Sequence, residues 1–184
     1  MRFLRPLLVL VTALAVSLTP SRGQPPRVSP HETISRLVDG NRITIVYGRP
    51  YSRDAASGQT RKIWGGLVPY GHVWRTGADE ATLFITEQPI DLGGTWVAPG
   101  AYTLFTQLET NGSAKLILSK QIGQWGLQYD PKQDFARIPL KRESLDAPVD
   151  QFQIAIDKDF ETGIGMLRLI WENTQYTIPF TVRK

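Results

Sequence analysis

A guanidinium and a carboxylate stand five residues apart in Arg75 and Glu80, with Thr76, Gly77 and Asp79 between them, and no other group in this sequence is chemically sharper. An arginine offers a fixed planar fork that takes a carboxylate through two parallel hydrogen bonds. That carboxylate belongs either to a ligand or to a neighbour such as Glu80, and both readings are open. Adjacent acids on a strand point to opposite faces, so at most one of Asp79 and Glu80 is expected to face a pocket. Paired-carboxylate hydrolysis is weakened accordingly, because it needs two carboxyls converging from opposite sides of a bond.

Flat rings surround this group. Trp64, Tyr70 and Trp74 sit among Gly65, Gly66, Pro69, Gly71 and Gly77, so the backbone can turn tightly and bring the rings to one surface. A second insert, residues 121–134, repeats the composition with Trp125, Gly126 and Tyr129. If long loops gather at one end of a β-fold, Trp74 and Trp125 line one cleft, which Arg49 joins from the end of an earlier strand. The alternative is that the tryptophans fold back as plugs over the core.

His72 and His31 are the chain's two histidines, and neither stands in an HxH or HExxH pattern. With no cysteine either, no metal site and no cofactor are expected. His72 is a conceivable general base by residue type, but no GxSxG places a nucleophile beside it.

The elements that carry these residues read as strands. Residues 43–47 form a β-rich run, Gly93-Gly94 and Asn111-Gly112 are hairpin turns, and alternating runs recur at 101–108, 114–119, 136–141 and 151–156. An apolar run at 166–171 follows, then a turn at 172–175 and a terminal strand whose Pro179 suggests an edge or a bulge. Residues 51–61 read as an exposed loop and 141–150 as a charged connection. No 3.6-residue period is sustained. The expectation is one all-β domain over residues 35–184, a single antiparallel β-sandwich or barrel-like fold of about nine or ten strands with two Trp/Gly-rich inserts.

Ahead of it, Arg2 and Arg5 precede an apolar run over residues 7–18, the layout of a secretory signal peptide ending near Gly23. A proline-rich linker, residues 24–34, is expected to follow. Without residues 1–23, which carry three arginines and no acid, 18 basic residues face 17 acidic ones. The apparent basicity therefore argues for neither nucleic acid nor membrane as a partner. A secreted or periplasmic location is expected, and stability must come from buried area rather than disulfides.

Several separated segments resemble the bacterial domain-of-unknown-function family numbered 2911. They are Tyr47-Gly48-Arg49-Pro50, residues 61–71, Val73-Trp74-Arg75-Thr76-Gly77-Ala78, residues 99–106, Gln124-Trp125-Gly126 and Trp171-Glu172-Asn173-Thr174. The resemblance implies a secreted, β-rich protein and supplies no catalytic residues. It also implies Asn where this chain has Asp79 and commonly Lys where it has His72, which moves weight to Arg75 and Glu80. The leading expectation is a domain binding a small polar or sugar-like ligand, or a cell-envelope polymer, through Arg49, Trp64, Tyr70, Trp74, Arg75, Glu80, Trp125 and Tyr129. The alternatives are a hydrolase using Glu80 as acid or base with Arg75 as electrostatic stabiliser, and a structural or interaction domain without a pocket.

Overall fold

The computed structural model describes Arg27 and residues 29–183; the expected leader, residues 1–23, and linker residues 24–26 and 28 lie outside them. The described chain is all-β. Its strands are β1 His31–Val38, β2 Asn41–Gly48, β3 Val73–Trp74, β4 Thr82–Thr86, β5 Ile90–Leu92, β6 Thr95–Val97, β7 Gly100–Leu108, β8 Ala114–Ser119, β9 Asp134–Lys158 and β10 Gly165–Val182. They make one antiparallel ten-stranded sheet in the order β1-β2-β4-β7-β8-β9-β10-β5-β6, with β3 beside β7. The sheet does not close into a barrel.

Two ladders meet at β9. Its first part, up to Leu140, pairs with β8, and from Lys141 onward it pairs with β10. One strand thereby carries the chain from one layer to the other. Period-two alternation buries Ile43, Ile45 and Tyr47 of β2, which share one continuous core with Phe152, Ile154 and Ile156 of β9 and Leu167, Leu169 and Trp171 of β10. On the edge away from β10, residues 50–52 stitch back onto β9: Ser52 N–H donates to the Asp150 carbonyl (2.7 Å) and Phe152 N–H to that of Pro50 (2.9 Å).

Four expectations are corrected. Residues 141–150 are strand, the middle of β9: none of them is buried, yet residues 141–144 and Val149 pair with β10. Residues 172–175 do not end a strand; β10 runs through them as a bulge, with the register shifting on both sides of Glu172, whose φ is +50°. β1 begins at His31, so residues 31–34 belong to the sheet rather than to a linker. Pro179 is neither at an edge nor in a bulge. It falls where pairing with β9 ends at Thr177 and pairing with β5 begins at Phe180, a point at which no ladder needs its missing N–H.

Candidate functional site

The segment between β2 and β3 folds inward at two points. Ile63 and Val68 are fully buried, and the turn between them is closed by Gly66 N–H to the Ile63 carbonyl and Gly65 N–H to that of Val68. This turn delivers Trp64 into an aromatic cluster. Its ring meets Trp74 (6.4 Å), Trp171 (6.1 Å) and Tyr176 (5.5 Å) edge-on, while Trp74 stacks on Trp171 (5.9 Å) and meets Phe152 (5.0 Å). Tyr70 packs against the same core. Rings that the sequence left between binding surface and plug are therefore mostly plug, and only Trp74 also reaches an open surface.

That surface is a cleft of about 660 Å³. Trp74, Trp171, Tyr51, Leu67, Pro69 and Leu127 give it apolar walls, and Arg53, Arg61, His72 and Arg75 bring basic groups to it. The arginine loop is held by strain and by close backbone contact. Thr76, a β-branched residue, is buried at φ +54° with its hydroxyl 2.7 Å from that of Thr106 on β7, and the Thr82 hydroxyl donates to the Thr76 carbonyl at 2.8 Å. Positive φ at such a residue costs about 1–3 kcal/mol and persists only where the surroundings enforce it. Beneath the loop, Ala78 N–H donates to the Gly48 carbonyl at 3.2 Å.

The second insert does answer the first, but through its backbone rather than its tryptophan. Gly126 N–H donates to the Asp79 carbonyl (3.0 Å), Ala81 N–H to that of Gln124 (3.3 Å), and Glu80 bridges Trp125. The cleft is met by Gly126 and Leu127, while Trp125 is not among its lining. Tyr129 lies against Phe105 (ring centroids 4.9 Å apart) and donates to Asp134 at 2.6 Å; burial, then that hydrogen bond, pushes its hydroxyl up to about 12. Arg49 donates to the Phe152 carbonyl and pairs with Glu32 at 3.3 Å, beside a separate hollow of about 300 Å³ between β1 and β9.

Arg75 and Glu80 are not partners. Glu80 is clasped by Arg27 and by His31, whose Nε2 stands 3.4 Å from Glu80 Oε2 and 3.2 Å from Asp79 Oδ2. The two adjacent acids thus converge on one imidazole, against the alternation expected of a strand. Asp79 is at φ +64°, outside extended geometry, and this turns its side chain toward that of its neighbour. The Arg75 side chain forms no hydrogen bond or ion pair among the described residues, and its Nε is buried without a partner. Burial pushes its guanidinium below the ordinary value, offset in part by Asp79.

A family model described as a protein of unknown function (DUF2911) matches residues 29–180. The chain belongs to this family. Neither a curated protein nor a solved structure matches it. The DUF2911 match spans both inserts and every residue of the cleft. The Asn implied by the family resemblance at position 79 suits a left-handed backbone better than most residues do, so a conformational role accounts for that position without any catalysis.

The geometry offers the hydrolase reading no support. Glu80 lies outside the cleft, and the Arg27 hydrogen bond, followed by smaller contributions, holds its carboxyl below the ordinary 4.5, the wrong direction for a group that must carry a proton near neutrality. A depressed folded-state value means that the clasp contributes fully above about pH 4.5 and is lost as pH falls through the folded value. The Arg27 Nε–H and His31 ring signals in NMR are therefore expected to shift together on acidification below that point. Glu80→Gln should abolish the acid-dependent step in the Arg27 signal; an unchanged step would place the titrating group elsewhere.

Residues 51–61, read from the sequence as exposed loop, supply Tyr51, Arg53 and Arg61 to the cleft. The available signal was two arginines flanking Asp54, whose carboxylate accepts from Ala56 N–H, Ser57 N–H and the Ser57 hydroxyl and so folds the loop back on itself. Trp171 gave no local signal for a site, because it reaches the cleft from a strand about a hundred residues away.

Proposed function

We propose that this protein is a binding domain that holds a small polar or sugar-like ligand, or the end of a cell-envelope polymer, in the cleft beside Trp74 and Arg75. The observation that carries the reading is the open cleft itself, which joins the face of an aromatic cluster to a half-buried arginine that has no partner. Small-molecule sites combine apolar walls with a few convergent polar groups in this way. A secreted or periplasmic setting goes with it, supported by the leader-like residues 1–23.

Trp74 and Trp171 both line the cleft, so ligand entry should change tryptophan emission. Titration with a panel of mono- and oligosaccharides and peptidoglycan fragments is expected to produce that change for at least one class. Tyr51 is 41% exposed at the rim, so Tyr51→Ala should spare the fold while weakening binding by about 0.5–1.5 kcal/mol. A panel that leaves both emission and the amide NMR signals of the cleft unmoved would sink the proposal.

A further inference from the structure

We propose that the ligand of this cleft is two-ended: an anionic group, carboxylate or phosphate, taken by Arg75 with Arg61, and a flat or sugar-like body laid against the aromatic wall. The inference rests on the cleft being a binding site and adds the charge of what it binds.

The first support is the contrast with arginines that carboxylates hold elsewhere; Arg36 and Arg142, which also form no ion pair among the described residues, are exposed to water. Arg137 is held by Asp134, Gln107 and Tyr129; Arg168 by Asp157 and Gln175; Arg183 by Asp91. At the cleft, the Arg61 side chain gives one bond to the Tyr51 carbonyl and has a buried Nε without a partner, that of Arg53 reaches only the Gly58 carbonyl at 3.5 Å, and the Arg75 side chain has no hydrogen bond among the described residues. None of the three forms an ion pair among the described residues.

The second support is where the nearby acids are spent. Asp54 accepts three hydrogen bonds from its own turn, and Asp79 is turned to His31. Both acids line the cleft and act on Arg75 and Arg61 at a distance, but neither pairs with an arginine there, so the cleft keeps positive charge that is only partly compensated. A partly buried guanidinium in that state has lost hydration without gaining a contacting counter-charge, and a bound anion supplies one in bidentate geometry. The apolar wall of Trp74, Leu67 and Leu127 has no use for the charge and fits the uncharged end.

Removing the charge should accordingly help the empty protein and harm the complex. Arg75→Met leaves a stem of similar length in the same place, and replacing an unpaired, partly buried charge by an apolar group is often neutral or stabilising. Its melting temperature without ligand is expected to equal or exceed that of the wild type, an outcome that a structural role for Arg75 would reverse.

The test uses the whole chain and calorimetric titration with glucuronate, glucose 6-phosphate, glucose and inorganic phosphate. One of the two charged sugars is expected to bind at least about tenfold tighter than glucose, and Arg75→Met to remove that advantage by about ten- to a hundredfold, the range for a hydrogen bond to a charged group. Whichever charged sugar binds tighter tells carboxylate from phosphate. Glucose equal to both would overturn the anionic end while leaving the cleft reading intact. Inorganic phosphate as tight as glucose 6-phosphate would overturn the two-ended ligand. Binding of none of the four would take down the cleft reading and this inference with it. A destabilised Arg75→Met would return the arginine to a structural role; Arg61→Met then gives the independent measure of charge dependence.

Discussion

Trp171→Ala is expected to cost about 3–5 kcal/mol of stability, the range for truncating a fully buried large aromatic side chain, and to be the most damaging single truncation in the cluster. Trp171 is 0% exposed and stands where three parts of the chain meet. It stacks on Trp74 of β3 (5.9 Å), touches Trp64 of the inward turn (6.1 Å) and Phe152 of β9 (5.6 Å), and donates its Nε1–H to the Asp150 carbonyl at 3.1 Å. Truncation removes the surface against which both inward-turned tryptophans pack and takes from the Asp150 carbonyl one of its two donors, leaving only the Ser52 N–H. Relaxation into the void is opposed by the β10 bulge beside it, where Glu172 is fixed at φ +50°. Urea unfolding followed by far-ultraviolet circular dichroism reads the loss. Trp171→Phe separates the contributions: it keeps a ring for Trp74 to stack on but forfeits the Nε1 bond, for a net cost on that account of about 0.5–1.5 kcal/mol. A midpoint for Trp171→Ala indistinguishable from wild type would mean that the cluster does not brace the two layers.

This cluster also marks where the sequence stops being sufficient. Gly93-Gly94 and Asn111-Gly112 were legible as hairpin turns because the chemistry that selects a tight turn is contained in the turn residues. The length of β9 and β10 was not. Polar residues 141–150 look like a loop until the partner strand is known, and nothing about a glutamate announces the positive φ that makes 172–175 a bulge. Trp64 and Trp74 showed the same dependence on distant residues: a Trp/Gly-rich loop is compatible with display or with burial, and the decision came from Trp171 and Phe152, more than 75 residues further along. Arg75 was legible as a candidate from its type and glycine-rich setting. The rest of its cleft was not, since Tyr51 and Arg61 reach it from one loop and Leu127 from another, and Glu80 is drawn off by an N-terminal arm whose docking no local pattern encodes.

The position of Arg75 depends on a hydrogen atom, which gives the second large expected effect. A Cβ added at Gly126 would lie 1.9 Å from Arg75 Cδ, 2.9 Å from Arg75 Cβ and 2.7 Å from the Asp79 carbonyl oxygen. Rotating the arginine side chain relieves only the first of these. The other two atoms are fixed, one to the backbone of the strained loop and one as the acceptor of the Gly126 N–H itself. Gly126→Ala must therefore move the two inserts apart. It should cost about 1–3 kcal/mol, as overpacking does, and push Arg75 out of its place over the apolar wall. Gly123, three residues earlier in the same insert, is the contrasting case: it sits at φ +77° with nothing within 4 Å of an added Cβ. Gly123→Ala should also destabilise, by about 1–2 kcal/mol from left-handed strain, yet leave the inserts in contact. The two variants lose comparable stability by different means. Only Gly126→Ala is expected to lose ligand affinity and to shift the Arg75 Nε–H signal in NMR. Equal binding by both variants would show that the contact between the inserts does not position the arginine, whereas loss in Gly126→Ala alone would tie the charge in the cleft to the packing of a single glycine.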